Sequence, residues 1–251
     1  DIYLSRLFGI QMIETALTIA AVMLIHVLAN NKYLGHLLAI VLIVGNTFMG
    51  ALGFEHLLYR YGSDSGTPYS DMNEFGPFLA PYGWLKLYWT GVALLFAVLT
   101  HLFWPRGQET GFGWRLALAR QRVSRPIVAF GAAGLALAAV VGAFIFWNTN
   151  VRNEYRTSFE QQALQARYER DYKQYEDLPQ PRITKSSVDV TLWPKAATGE
   201  LKGTLTAVNK TAAPIPALHV LIPVEADVRK LELDPPAKET KNDEEMGYRI
   251  F

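Results

Sequence analysis

One acidic residue inside the first long apolar segment is the residue whose chemistry stands out most. Glu14 is the only acid in residues 7–29, a run that otherwise reads as a membrane helix. An ionisable side chain at membrane depth is costly unless it is paired or hydrated, so it marks a functional candidate by default. The structural alternative is that Glu14, about two helical turns into the segment, reaches the outer interface or pairs with a neighbouring side chain. The sequence leaves both interpretations open.

The remaining residues with metal or acid–base chemistry form no catalytic pattern. Four histidines lie near the ends of apolar segments, where a hydrated or capping role is expected, and no two have the i, i+4 spacing of a helical zinc site (His26, His36, His56 and His101). His219 stands beside an apolar run and is expected on a strand surface. The chain has no cysteine, which excludes disulfides and thiol nucleophiles, and its net charge of +1 offers no field for nucleic acid.

Four apolar segments are long enough to hold these residues in membrane helices, and they cover residues 7–29, 34–54, 85–104 and 126–147. The last carries no charge, and as a helix it reaches about 33 Å, enough to cross a hydrocarbon core of about 30 Å. Its small residues would admit a neighbouring helix, which favours a bundle over a lone anchor. The sequence therefore predicts an α-helical membrane bundle in residues 1–147, with the lipid bilayer as its partner.

The charges of the connecting loops predict the orientation of this bundle. The loop between Trp104 and Pro126 has a single acid, Glu109, against five arginines, and is predicted to be cytoplasmic (Arg106, Arg115, Arg120, Arg122 and Arg125). The loop in residues 59–82 is then external, and its recurring aromatic residues favour an ordered cap over disorder. Everything after Trp147 is external too. Because the first residue would also be external without a signal sequence, we expect an internal fragment of a longer polypeptide.

The residues after Trp147 predict a stalk helix and then strands. Residues 148–178 are polar and helix-forming, with aromatic residues at spacings near four, so we expect one helix continuing from the last span and packing against the next domain. A helix lying on the membrane surface is the alternative. From residue 179 the period becomes two, and three runs separated by turns predict consecutive antiparallel strands. Residues 179–251 would thus begin an all-β sandwich, truncated here, with the charged run 238–245 as a solvated loop.

Several stretches resemble one family. The segment RYGSDSGTPYSDMNEFGPFLAPYGWLKLYW, residues 60–89, looks like the permease part of large bacterial proteins that fuse an ABC-2-type transporter permease to an M1-family aminopeptidase. The runs NTNVRNEY, YERDYKQYEDLPQPRIT and VNKTAAPIP, which begin at Asn148, Tyr168 and Val208, are similar to the join and the first strands of the peptidase part. The resemblance implies a multi-pass protein of the bacterial inner membrane, with residues after Trp147 in the periplasm.

The family's zinc site would lie outside this chain. Such peptidases hold zinc with an H-E-x-x-H helix and a further glutamate, and neither that motif nor the Gly-x-Met-Glu-Asn segment occurs here. No catalytic, cofactor-binding or metal residue is therefore assigned, and zinc is expected in a downstream domain. There is also no G-x-x-x-x-G-K-[ST] loop, so ATP hydrolysis would need a separate ATP-binding-cassette subunit.

Two classes of function follow. The first is the membrane part of a permease joined to a zinc aminopeptidase that acts on peptides. The alternative is a non-enzymatic membrane protein whose external β-domain binds a partner or senses a ligand, and a permease whose peptidase-like extension has lost its metal site is a third reading. Because all of these share one topology, topology cannot separate them.

Overall fold

A computed structural model describes residues 2–105, 111–196, 198–223 and 226–251. The chain divides into two compact units, one ending at Gln161 and the other covering Gln162–Phe251. The first is built from helices and the second from a helix segment and small antiparallel sheets. The boundary falls inside a helix of the predicted stalk rather than at the end of the last span.

The first unit is a layer of helices. Its elements are α1 (Ile2–Leu4), which a π-helical segment connects to α2 (Met12–Ala29), then α3 (Lys32–Phe48), α4 (Leu79–Phe103), α5 (Phe112–Arg122) and α6 (Arg125–Phe146). Helix α2 contacts α3 and α4, and α4 contacts α6, so the order across the layer is α3, α2, α4, α6. The turn between α2 and α3 depends on Asn30, with φ +49°, and Asn31, whose side chain caps α3 by accepting from two backbone N–H groups.

Glycine allows α4 and α6 to approach closely. A Cβ atom added at Gly91 would lie 2.7 Å from the backbone nitrogen of Ala138, and one at Gly134 would lie 3.0 Å from the carbonyl oxygen of Gly91. A side chain at Gly91 would therefore clash with the backbone of α6, and one at Gly134 would require the neighbouring helix to shift slightly. The prediction that small residues of the last apolar segment admit a second helix is confirmed at this contact.

Three helical stretches are long and apolar enough to cross a membrane, namely Phe8–Ala29, Gly76–Phe103 and Arg125–Val151. The predicted segment 34–54 is shorter in the structure, because α3 ends at Phe48 and turns follow, with Gly53 at φ +90°. The predicted segment 85–104 is longer, because α4 begins at Leu79 and tolerates Pro81 in its first turn. Membrane character is thus supported for three segments, with α3 as a shorter apolar helix.

The expected continuous helix after the last span is interrupted. A π-helical segment, Trp147–Val151, follows α6, and α7 (Ser158–Tyr172) begins only after a non-helical stretch. The physical reason is the run of short polar side chains, which bond to backbone carbonyls and compete with the regular helix. Asn148 donates to the carbonyl of Phe144 at 2.8 Å, and Asn153 donates to that of Asn148 at 2.7 Å.

The second unit contains two separate sheets. Strands β1 (Arg182–Trp193) and β2 (Thr198–Val208) form an antiparallel hairpin, whereas β3 (His219–Leu221), β4 (Lys241–Asp243) and β5 (Tyr248–Ile250) form a sheet in the order β3-β5-β4. The predicted pairing of the first two runs is confirmed. The prediction that the third run pairs with the second is wrong, since β3 pairs with β5.

The core of the second unit is aromatic. Tyr172 and Tyr248 stack with ring centroids 4.1 Å apart, and Ile250 is buried with them. The predicted packing face of the stalk helix is therefore confirmed for its last turns, where Tyr168 and Tyr175 flank the pair. The run 238–245 is exposed except at Asp243, as expected for a solvated segment, but it is not all loop, because it contains β4. Asp243 accepts a hydrogen bond from Tyr172 at 2.6 Å. The described strands lie in two separate sheets, so the predicted start of an all-β sandwich is not confirmed and stays a prediction.

Candidate functional site

A buried lysine is the centre of the most unusual polar site in the first unit. Lys86, in the second turn of α4, is 3% exposed. Its ammonium group lies 2.6 Å from a carboxylate oxygen of Asp64 and 3.7 Å from one of Glu14, and it donates to the carbonyl of Gly62 at 2.6 Å. These three charged residues, Glu14, Asp64 and Lys86, are called the charged cluster below. Because a desolvated ammonium is costly, the two carboxylates and the carbonyl are what make its burial possible.

The loop between α3 and α4 is folded so that Asp64 reaches the ammonium group of Lys86. Gly62 and Gly66, with φ of +74° and +78°, make turns on either side, and the backbone of Gly66 donates to the Asp64 carboxylate at 2.7 Å. Glycine takes such positive φ values without a steric penalty, which explains its place at both turns. The loop is thereby closed into a compact segment that presents one carboxylate to α4.

Aromatic side chains hold this loop against the helices. Tyr61 donates its hydroxyl to the carbonyl of Leu17 in α2 at 2.8 Å, and Trp89 of α4 donates to the carbonyl of Ser63 at 3.1 Å. Burial raises the pKa of Tyr61 to about 12, so its hydroxyl remains a neutral donor at physiological pH. The ring of Tyr82 lies 5.1 Å from the Lys86 ammonium and adds a cation–π contact. Lys86 is therefore enclosed by loop and helices together.

Glu14, the candidate from sequence, lies at the margin of this site. Its side chain is 38% exposed, and its distance of 3.7 Å from Lys86 makes it the more distant of the two carboxylates. The structure thus places Glu14 beside a charged partner and near the surface, which are the two features of the structural alternative, and a functional role for Glu14 stays a prediction. Lys86 was missed by the sequence reasoning. The available signal was a lysine inside the apolar segment 85–104, where any charge is exceptional.

A second buried cation lies at the other end of the helices. Arg115 of α5 is 4% exposed and donates to the carbonyls of Leu28 at 3.2 Å and Phe103 at 2.9 Å, with a further bond to Val27. These carbonyls belong to the C-terminal turns of α2 and α4, which lack helical partners of their own. Arg115 was counted only as a cytoplasmic charge in the sequence, and its role as a cap was not foreseen.

The histidines occupy structural positions. His56 is 9% exposed, its Nε2 lies 3.1 Å from the hydroxyl of Thr149, and burial lowers its pKa, so it is neutral at pH 7. His26 and His36 pack edge to face across the turn between α2 and α3. His219 is half-buried rather than on a free strand surface, with its Nδ1 2.9 Å from the hydroxyl of Tyr248. Among the residues that the structure describes, no group of three histidines or acids could hold a metal ion.

Comparison with known proteins adds no further assignment. No protein-family model matches the chain, and no curated protein or solved structure matches it either. The described residues define a helical unit with apolar helices long enough to cross a membrane and a buried lysine in a charged cluster, followed by a unit with small antiparallel sheets.

Proposed function

We propose that this chain is the membrane-spanning part of an ABC-2-type permease joined to an external M1-like zinc aminopeptidase module. Under this proposal the protein is a multi-pass protein of the bacterial inner membrane, and α3 crosses the bilayer as a fourth span. The hairpin and the three-stranded sheet would be the first part of a β-sandwich outside the cell membrane. Zinc, the peptide substrate and an ATP-binding-cassette subunit would all be engaged by parts outside this chain.

The charged cluster is the observation that carries the proposal of a permease-like membrane unit. A simple membrane anchor does not require a lysine 3% exposed among apolar helices. Ionisable groups are retained at such positions chiefly where they fix a structure that must be specific or mark a path for polar solutes. The peptidase part of the proposal is supported by the sequence resemblance, and by the stalk and strands that follow the last apolar helix.

The decisive test uses the complete parent protein. We expect its sequence beyond Phe251 to contain H-E-x-x-H followed by a glutamate on a later helix. The purified protein should hydrolyse aminoacyl amides, lose that activity when a chelator removes zinc, and regain it when zinc is restored. A matched variant with the motif glutamate replaced by glutamine should bind zinc without turnover, since the general base is missing.

Two results would overturn parts of this proposal. A complete external domain without the motif would remove the peptidase and favour the non-enzymatic alternative, in which the β-domain binds a partner or senses a ligand. A motif that is present but binds no zinc would indicate an extension that has lost its metal site. The permease assignment would survive either result, because it depends on the membrane unit.

A further inference from the structure

Helix α5 is attached to the ends of two apolar helices. Arg115 faces the helix layer and bonds to carbonyls of the last turns of α2 and α4, and Ala119, one turn further on, is 4% exposed. Arg122 donates to the carbonyls of Leu102 at 2.9 Å and Trp104 at 2.6 Å. The helix is therefore held at the level where α4 ends and α6 begins. If α4 and α6 cross a bilayer, α5 lies at the headgroups.

The surface of α5 that does not face the helix layer is unusually apolar for a connecting segment. Phe112 and Leu116, four residues apart and so on one side, are 63% and 38% exposed, and Val123 just after the helix is 51% exposed. Trp114, on the opposite flank, is 64% exposed. Aromatic and aliphatic side chains in this arrangement are typical of helices that lie in a membrane interface.

The charge of the same segment has one sign. Residues 112–125 contain four arginines and no acidic residue. Two of these arginines, Arg115 and Arg122, bond to backbone carbonyls, as described above. The other two, Arg120 and Arg125, are exposed. A guanidinium group binds phosphate oxygens with two parallel hydrogen bonds, which suits it to phospholipid headgroups.

We propose that α5 is an interfacial helix that binds anionic phospholipids. Phe112, Leu116 and Val123 insert among the acyl chains at the headgroup boundary, and Arg120 and Arg125 bind the phosphates of anionic lipids. Zwitterionic lipids are weaker ligands, because their ammonium groups offset the phosphate charge. The inference rests on the membrane character of α4 and α6, but it is independent of any transport or peptidase activity.

The first experiment measures depth. Because the chain has no cysteine, single cysteines can be placed at Leu116, at Thr198, an exposed residue of the second unit, and at Val140 in the middle of α6, each carrying an environment-sensitive fluorophore. The full chain is reconstituted in bilayers of equal parts phosphatidylcholine and phosphatidylglycerol. We expect apolar-type emission at positions 116 and 140 and water-like emission at 198. Equal, water-like emission at 116 and 198 with a buried signal at 140 would overturn the proposal.

The same experiment separates this proposal from the membrane assignment. A water-like signal at position 140, which is 68% exposed in the structure, would contradict the membrane character of α6 itself. In that case the proposed function fails first, and the interfacial role of α5 fails with it. A buried signal at 140 leaves the result at 116 as a test of α5 alone.

The second experiment measures lipid selectivity. Full-length protein is purified from mixed micelles containing both lipids, and the ratio of phosphatidylglycerol to phosphatidylcholine that it retains is measured by mass spectrometry. The double variant Arg120→Gln/Arg125→Gln should lower the preference by about fivefold for each arginine, as expected for a basic residue at an anionic surface. The control Arg229→Gln, an exposed arginine in the second unit, should leave it unchanged.

Salt provides an internal check on the same measurement. About 0.5 M salt should weaken the preference of the unaltered chain for phosphatidylglycerol, because it shortens the distance over which exposed charges interact to a few ångströms. An unchanged thermal unfolding profile in the double variant would show that the Arg115 contacts persist. A double variant that keeps the full preference for phosphatidylglycerol would overturn the binding role of these arginines.

Discussion

At the level of single residues, Lys86 depends on its partners for its place among apolar helices. We expect Lys86→Met to lower stability by about 2–4 kcal/mol, because it leaves Asp64 and the carbonyl of Gly62 without their cation. The lower end of that range reflects the 18% exposure of the Asp64 side chain. The measurement is thermal unfolding of the full chain in nanodiscs, with Lys32→Met, an exposed lysine at the start of α3, as the matched control.

A double variant separates charge from packing at this site. Asp64→Asn keeps an oxygen for the hydrogen bond from Gly66 and removes the charge. If the cost of Lys86→Met comes from the unpaired carboxylate, Lys86→Met/Asp64→Asn should be more stable than Lys86→Met alone. Additive losses from the two changes would instead mean that the ion pair contributes nothing as a pair.

The pH dependence of the second unit depends on Asp243. The hydrogen bond from Tyr172 lowers the pKa of this carboxyl group, with smaller contributions from the Met246 backbone and Arg167, while burial acts in the opposite direction. A depressed pKa in the folded state contributes stability that is present above the unfolded pKa of about 4 and lost as pH falls below it. We expect the near-UV circular dichroism of the tyrosines to be lost as the pH falls below about 4. In Asp243→Asn the same signal should depend less on pH in this range.

The control for this prediction is Asp189→Asn, which neutralises an exposed aspartate on β1. Tyr172→Phe should act like Asp243→Asn, because it removes the hydrogen bond that stabilises the charged carboxylate. A flat stability profile between pH 3 and 5 in the unaltered chain would contradict the assignment.

The sequence carried only part of the information about these sites. Glu14 was identifiable because a charged residue inside a long apolar run is exceptional by itself, whatever its partner in the structure. Lys86 lies close to the start of its apolar run, and its partner Asp64 belongs to a loop, so no periodicity connects the two. Arg115 looked like an ordinary cytoplasmic charge, because nothing in its neighbourhood indicates that it reaches helix ends far away in sequence.

At the level of elements, the hairpin of β1 and β2 has one apolar face and one polar face. The register opposes Val190 to Leu201 and Ser186 to Leu205 on one side, and Asp189 to Lys202 on the other. Leu201 is 69% exposed and Val190 is 54% exposed. Two strands alone bury too little surface for independent stability, so the apolar face is the expected site for a further layer.

A pair of variants tests whether this face is covered. Leu201→Ala should change stability by only about 0.5 kcal/mol if the face is open, the usual range for surface positions. Ile250→Ala, at a residue 9% exposed, should cost about 2–4 kcal/mol because it creates a cavity in the aromatic core. Hydrogen exchange of peptides from β1 and β5 measures both. A large loss of protection in β1 on Leu201→Ala would show that another layer already covers the hairpin.

Local patterns predicted elements better than their connections. Apolar runs located α2, α4 and α6, and alternation located β1 and β2, because both signals are periodic and local. The break after Trp147 was missed because its cause is hydrogen bonding by short polar side chains, which composition alone does not reveal. The pairing of β3 with β5 was missed because it joins segments separated by a long connection, with no signal in either strand.

At the level of the whole molecule, both units expose large apolar side chains. The helices of the first unit expose side chains such as Val140 and Phe130, at 68% and 62%, which suits a surface in contact with lipid. The second unit has a small tyrosine core and exposes large apolar side chains on its hairpin, such as Leu201 at 69%. The length and apolar composition of three helices in the first unit, rather than the exposure of apolar side chains, are therefore what support membrane character.

The orientation predicted from the charges of the loops can be tested directly. Single cysteines at Ser65 and Thr198 should react with a membrane-impermeant reagent added to intact spheroplasts. One at Gln121, in the arginine-rich segment predicted to be cytoplasmic, should react only after lysis. The reverse pattern would invert the topology and place the charged cluster at the cytoplasmic end. Labelling at all three positions in intact spheroplasts would instead argue against any membrane barrier between the two loops.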